Sequence, residues 1–459
     1  MKTPIVDFVK KYADAASLRL HMPGHKGEGA LGFERYDITE IGGADSLYEA
    51  DGIIAESERN ASELFGCPTF YSAEGSSQCI RAMLYLACLG AKQAGRRPLI
   101  AAGRNAHKTF LSAAALLDFD ILWLTGENTS YLSCTADAHS LEKTLAEAPQ
   151  MPDAVYLTSP DYLGNTADIE GIAALCHRMG ILCLVDNAHG AYLRFLPVSR
   201  HPIDCGADLC CDSAHKTLPV LTGGAYLHLS PEAAEKFAPL TKNALALFGS
   251  TSPSYLILAS LDAANGYLAH GYREKLAAFA EKAESAKEKL RGYGYTICGT
   301  EPLKITIAAK PYGYTGTGLA DCLLRENIVC EFADPDFLVL MVTPETGADG
   351  LERLVHALAA VPQKPTLWEN PPAFAMPEQV LTVREAVFAP QEIVPAEECA
   401  GRILAVSSVG CPPAVPIVVS GERIDADALA CFAYYGIENC TVVKENEMLP
   451  NKKSRRTDA

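Results

Sequence analysis

The chain has sixteen cysteines in 459 residues, yet no two of them are spaced Cys-x-x-Cys. Zinc-ribbon and thioredoxin-like sites need that spacing, so both are excluded, and no metal is expected. Basic residues are in the minority: 39 Lys and Arg stand against 56 Asp and Glu, a net charge of −17. Phosphate-backbone binding needs a cationic face, so no nucleic-acid partner is expected. No run of about 18 apolar residues occurs, so no membrane span is expected. The opening MKTPIVDFVKKYADAAS lacks the apolar core of a secretory leader. The cysteines therefore read as reduced thiols of a cytoplasmic protein. Several lie in apolar runs, such as Cys79 and Cys88 in QCIRAMLYLACL and Cys183 in ILCLV, where they serve as small hydrophobes. Internal repeats and low-complexity tracts are also missing.

What the chain does have is apolar mass and rhythm. Hydrophobic residues make up 49% and charged residues 21%. At about 100–200 residues per domain, the length predicts two to four domains. Residues 1–52 form an irregular, glycine-rich N-terminal segment. From 53 to 252, short apolar strands (68–73, 98–103, 121–125, 154–159, 181–186, 207–213, 223–229) alternate with helices (53–65, 78–95, 107–118, 138–148, 168–179). That alternation predicts a large α/β domain whose mostly parallel sheet is covered by helices. Residues 253–362 predict a smaller α+β domain, with YREKLAAFAEKAESAKEKLRG as a charged, solvent-facing helix and strands in LKITIAA, IVCEFAD and FLVLMVT. Clustered prolines mark a linker at 363–377, followed by a small module at 378–446 and a polar, frayed tail at 447–459.

The strongest local signal is CDSAHKTLPV, where Lys216 follows Ser213 and His215 just past a buried strand. Lysines at strand–loop junctions are usually solvated. A desolvated one has a lowered pKa and can attack a carbonyl to form a Schiff base, which suits pyridoxal phosphate. Upstream, Asp186 ends the apolar strand of ILCLVDNAHGAY, at the edge where open parallel sheets place their ligands. It can pair with a pyridine nitrogen, although turn and cap aspartates are common. In EGSSQCIRAM, Gly75 permits a tight turn, and Ser76 and Ser77 offer hydroxyls and N–H groups to a phosphate at a helix start; the bland reading is an N-cap serine. His107, in RNAHKTF, opens the next helix and can cap it or stack on a ring.

These motifs occur in one order with HMPGHKG (21–27), DITEIGGADSL (37–47), STSPSYLILASLD (250–262) and VREAVFAPQEIVPAEECAGRI (383–403). Together, over about residues 4–440, the chain resembles the bacterial ornithine/lysine/arginine decarboxylases, fold-type-I pyridoxal-phosphate enzymes, in their short form without a wing domain. The resemblance implies that residues 1–52 contribute to the active-site region and that 378–446 is the family's C-terminal module. It implies that Lys216 carries the cofactor and Asp186 pairs with its ring nitrogen. His107 would stack on one ring face and Ala188 pack on the other, with His189 beside them. Ser76, Ser77, Ser213 and His215 would hold or neighbour the phosphate. Ser250 and Thr251 would reach the phosphate of a partner subunit, so the site would lie at a homodimer interface, with higher assembly open. The implied catalytic set is Lys216, His215, Asp186 and His107. The implied reaction is decarboxylation of a basic amino acid, arginine favoured over lysine or ornithine, in polyamine biosynthesis. Its cationic substrate calls for an acidic group, with Asp45, Glu49 and Asp51 as candidates.

Three departures stand out: Glu74 for Asn in the phosphate turn, Asn187 for Glu after Asp186, and Cys411-Pro412-Pro413-Ala414 for Tyr-Pro-Pro-Gly. The alternatives are another fold-type-I enzyme, an aminotransferase or cysteine desulfurase, or a degenerate relative acting as a binding or regulatory protein.

Overall fold

The computed structural model describes residues 1–124, 129–134, 136–410 and 415–445. The Cys411–Ala414 departure and the tail at 447–459 lie outside them. Helix α1 (Pro4–Asp14) begins at a proline, and Asp262 accepts from the free N–H groups of Ile5 and Val6 at 2.9 and 3.0 Å. Then come α2 (Ile53–Phe65), β1 (Thr69–Ser72), α3 (Ser76–Gln93), β2 (Leu99–Gly103), α4 (Lys108–Leu117), β3 (Asp120–Leu124), α5 (Ala138–Glu147), β4 (Ala154–Thr158), α6 (Ile169–Met179), β5 (Leu182–Asp186), β6 (Leu209–Asp212), α7 (Ala214–Thr217) and β7 (Ala225–Leu229). The sheet order is β1-β7-β6-β5-β4-β2-β3. Strands β3, β2, β4, β5 and β6 are parallel, and β7 runs antiparallel between β6 and β1. The expected mostly parallel sheet is therefore present. β7 reverses because only a short turn around α7 joins it to β6, too short for a crossover.

Strands such as Leu99–Gly103 and Ala225–Leu229 are buried along their whole length, as a sheet covered on both faces requires. α3 lies against one face through Ile80, Met83, Leu84 and Leu86, and α6 covers the other through Ile172 and Cys176. α3 starts two residues before the predicted position, because Gly75 is its N-cap and both serines belong to the first turn.

The chain continues through α8 (Pro231–Ala246), α9 (Tyr255–Leu268) and α10 (Tyr272–Gly292). α10 is not simply solvent-facing, since Tyr272, Leu276, Phe279, Ala283, Ala286 and Leu290 form a buried stripe. Charges on the outer face masked that stripe in the sequence. It packs near β8 (Thr296–Cys298), β9 (Lys304–Ala308), α11 (Gly316–Arg325), β10 (Phe332–Ala333), β11 (Phe337–Met341) and α12 (Gly347–Ala359), whose antiparallel sheet has the order β10-β11-β9-β8. The C-terminal part holds α13 (Val383–Phe388), β12 (Gln391–Pro395), β13 (Ser408–Val409), β14 (Val418–Val419), α14 (Ala426–Tyr435) and β15 (Asn439–Val443) around Leu404, Ile417, Val418 and Phe432. Among the described residues, no helix is long and apolar enough to cross a membrane.

Candidate active site

β1, β2, β4, β5 and β6 share one direction, so the loops after their carboxyl ends converge. Ser72 leads to Gly75 and Ser76, Gly103 to Asn105 and His107, Thr158 to Tyr162, Asp186 to His189, and Asp212 to Lys216. All five loops line one cavity of about 550 Å³, closed on its far side by Ser408, Gly410, Val415 and Pro416. The cavity therefore sits where an open parallel sheet binds ligands.

Lys216 stands on the single turn of α7, with its Nζ 3.0 Å from His189 Nε2. Burial lowers the pKa of this amine, against an upward pull from the Asp186 carboxylate. Asp186 is itself held from below: Tyr156 donates its hydroxyl at 3.0 Å, and the Ala188 N–H donates at 3.2 Å. His215 lies against the Gly224 carbonyl through Nδ1 at 3.0 Å, a contact that requires Nδ1–H and leaves Nε2 as the basic nitrogen. His107 caps α4, accepting through Nδ1 from the Thr109 N–H at 3.3 Å. One face of its ring is open to the cavity, while protein around the rest lowers its pKa by desolvation.

Gly75 adopts φ +74° and ψ 176°, a conformation essentially reserved for glycine. It starts an 18-residue helix whose first N–H groups have no intrahelical acceptor. Ser213 Oγ donates to Ser76 Oγ at 2.8 Å, which gathers hydroxyls at that terminus. Glu74 does not point a carboxylate into this cradle, because its Oε1 accepts from the Ser250 N–H at 2.9 Å. Asn187 donates to Asp212 Oδ1 at 2.7 Å, a contact that a glutamate could not make as an anion.

A cofactor with a phosphate, an aromatic ring and an aldehyde fits these groups. The hydroxyls and N–H groups at the α3 terminus suit a phosphate, His107 and Ala188 both line the cavity, and Asp186 and Lys216 offer a carboxyl group and an amine. Thr158 Oγ1, buried on the cavity wall, has no partner and suits a bound polar group.

Of the sequence-predicted residues, Ser76, Ser77, His107, Asp186, Ala188, His189, Ser213, His215 and Lys216 meet at this cavity. Ser250 and Thr251 do not; they are exposed on the loop held by Glu74. Asp45 is no substrate carboxylate. It is buried and accepts N–H bonds from Gly52 and Ile54 at 2.9 and 3.0 Å, and so caps α2. Sequence reasoning missed Tyr156, Thr158, Tyr162, Lys304, Ser408 and Gly410. Lys304 alone carried a signal, a lysine opening the apolar run LKITIAA.

The Orn/Lys/Arg decarboxylase major-domain model matches residues 3–297, and the C-terminal-domain model of the same family matches 366–441. The chain belongs to the Orn/Lys/Arg decarboxylase family. It is therefore a pyridoxal-phosphate-dependent decarboxylase of a basic amino acid, which sets aside the aminotransferase and desulfurase readings. It is 31% identical to the uncharacterized protein YaaO of Bacillus subtilis, over 94% of this chain and 93% of that one. It is 29% identical to the arginine decarboxylase of the same organism, over 94% and 92%. The Francisella novicida lysine decarboxylase LdcF superimposes with a TM-score of 0.78 at 16% identity, over 96% of this chain and 81% of that one, and so shares the fold.

Proposed function

We propose that this decarboxylase converts arginine to its amine and CO₂, with Lys216, Asp186, His107 and His215 as its catalytic residues. The carrying observation is a half-buried lysine of lowered pKa facing, across one cavity, a carboxylate fixed at a strand end. The arginine choice is supported by the names of the Bacillus relatives. Pyridoxal phosphate, when bound, supplies the sink for the electron pair left as CO₂ departs.

The chain's own residues do the rest. Lys216 would hold the cofactor through its amine, beside His189 Nε2. Asp186 would pair with the ring nitrogen, held in place by the hydroxyl of Tyr156 and the Ala188 N–H. Ser76, Ser77 and Ser213, with the α3 terminus, hold the phosphate. His107 and Ala188 confine the ring, with His189 beside them. Lys216, or His215 through Nε2, returns a proton to Cα once CO₂ has left. The exposed Ser250–Thr251 turn reaches the phosphate of a second copy, which makes the working unit a cytoplasmic homodimer.

The test is CO₂ release by the cofactor-loaded protein, offered arginine, lysine and ornithine in parallel. Release from arginine is expected, with loss of turnover in Lys216→Ala. Release only from lysine or ornithine overturns the substrate choice, and appreciable turnover by Lys216→Ala overturns the site.

A further inference from the structure

His189 is gripped from both sides by lysines. Its Nε2 lies 3.0 Å from Lys216 Nζ and its Nδ1 lies 3.1 Å from Lys304 Nζ. Lys304 is no ordinary surface lysine. It opens β9 in the small domain, is 2% exposed, and reaches across to the large domain. Its Nζ has three partners: the Asp161 carbonyl at 3.1 Å, the Glu301 carboxylate at 3.0 Å and His189 Nδ1. The Asp161 carbonyl and His189 Nδ1 are its hydrogen-bond partners, and the Glu301 carboxylate is its ion-pair partner. Glu301 is 1% exposed and also accepts from the Tyr192 hydroxyl at 3.3 Å.

A neutral imidazole has one lone-pair nitrogen and one N–H. If Lys304 donates to Nδ1, the ring proton sits on Nε2 and points at Lys216, which must then accept. Only a free amine can accept. The opposite arrangement, with Lys216 as the ammonium, takes the proton from Lys304 and leaves the Glu301 carboxylate buried without the cation beside it, the costlier state. We infer that Lys304, paired with Glu301, is a positioning residue that fixes the Nε2–H tautomer of His189 and thereby presents Lys216 as a free amine. The inference rests on the reading of Lys216 as the cofactor-bearing residue, and it reaches that residue from a different domain.

Burial pushes the Glu301 carboxyl up, while Lys304, the Tyr192 hydroxyl and Lys287 pull it down. Burial is the largest influence on Lys216 and lowers its pKa; Lys304 lowers it further, while Asp186, Glu331 and Cys211 pull it up. Burial likewise drives His189 well below the ordinary histidine value, with the Lys304 charge adding to the effect. His189 therefore stays neutral, as the tautomer requires. The grip is built in: Gly299 lies against the Leu163 and Gly164 carbonyls, and the Thr300 and Glu301 N–H groups donate to the Gly164 carbonyl at 2.8 and 2.9 Å. The segment carrying Glu301 is thus pinned to the loop after β4.

Two readouts on the full-length apoprotein test this without turnover. The first is the tautomer of His189, from the ¹⁵N ring shifts of histidine-labelled protein, assigned by His189→Gln. Nε2–H is expected in the parent, and Nδ1–H or a mixture in Lys304→Met. The second is the pH profile of Lys216 labelling by cyanate, read by mass spectrometry. Lys304→Met is expected to move the midpoint up by about one unit, roughly tenfold less labelling at a fixed pH below it. In a His189→Gln background the same substitution should change labelling less than threefold, which a merely structural lysine would not produce. Glu301→Gln is a second route, since it removes the carboxylate that pairs with Lys304 and so loosens its hold on His189 Nδ1. An Nδ1–H tautomer in the parent overturns the inference even if neither variant folds. So does a folded Lys304→Met with unchanged labelling. Failure of borohydride to trap pyridoxal phosphate on Lys216 would instead overturn the assignment of Lys216, leaving the tautomer result to stand by itself.

Discussion

Arg104 and Glu422 meet in a two-point ion pair, with Nη1 and Nη2 each 2.7 Å from a carboxylate oxygen and side chains 0% and 1% exposed. The arginine follows β2 and the glutamate follows β14, so the pair joins the site-bearing sheet to the C-terminal part that walls the cavity. The Arg104 guanidinium also stacks over Trp123, 4.8 Å from the ring centroid. Removing one partner strands the other charge in the interior, at a cost of about 3–5 kcal/mol. Glu422→Gln should lose that much in urea unfolding, with turnover falling because Gly410 and Val415 are no longer held at the cavity. An Arg104→Met/Glu422→Leu double variant should recover part of the stability. A loss under 1 kcal/mol in Glu422→Gln would sink the interior-pair argument.

Gly75→Ala tests the phosphate cradle. A Cβ there meets nothing nearer than the Ser77 nitrogen at 4.0 Å, so sterics with neighbours do not decide the outcome. The backbone does, since φ +74° with ψ 176° costs a non-glycine residue about 1–3 kcal/mol. The turn should relax toward a commoner conformation and tilt the first turn of α3. The expected result is a weaker affinity for pyridoxal phosphate, by about tenfold or more, with a smaller loss in thermal stability. Unchanged affinity by fluorescence titration would remove the turn from the phosphate site.

Much of this site was legible because its residues follow strands, and apolar strands are the loudest pattern in a parallel α/β chain. Lys216, Asp186, His107 and Ser76 each stand within a few residues of such a run, and their order along the chain matched a known family. What was not legible depends on long-range packing. Asp45 looked like a spare pocket acid, yet only the fold shows it turned onto the N-terminus of α2. Lys304 comes from the second, four-stranded sheet, and its place at the head of an apolar run does not say that it neighbours His189. Glu74 looked hostile to a phosphate until the Ser250 N–H was placed beside it.

Acid should weaken the fold through its buried histidines. Burial, as the largest influence, lowers the pKa of both His189 and His228 below the ordinary 6.5. The unfolded chain then takes up these protons first as pH falls. Their contribution is complete above about pH 6.5 and is lost below it, at about 1.4 kcal/mol per pH unit per proton. Asp262 and Asp334, pushed up to about 6 chiefly by burial, act in the opposite sense, and their contribution is lost as pH rises through that value. Comparing His189→Gln with the parent isolates one histidine: its urea midpoint should fall less steeply between pH 6.5 and 5. Parallel slopes would mean that His189 is already protonated in the fold.

Asn187→Asp should be the most pH-dependent substitution near the site. Asn187 Nδ2 donates to Asp212 Oδ1 at 2.7 Å, while Asp212 Oδ2 faces Nε2 of both His201 and His228 at 3.1 Å. Burial works to raise the Asp212 carboxyl, but the two histidines outweigh it and hold it below the usual carboxylate range. The introduced carboxyl would have nearly the same shape as the amide but no proton to donate. It can keep the contact only by staying protonated, so its folded pKa lies well above its unfolded value. A group raised in this way loses stability as pH rises. The penalty should reach about 3 kcal/mol at pH 8 and shrink by about half at pH 5. Asn187→Leu, which breaks the same bond without a titratable group, should show a penalty that does not change with pH. If Asn187→Asp behaves like Asn187→Leu, the folded protein holds no extra proton at this pair, and the contact to Asp212 is given up rather than kept by protonation.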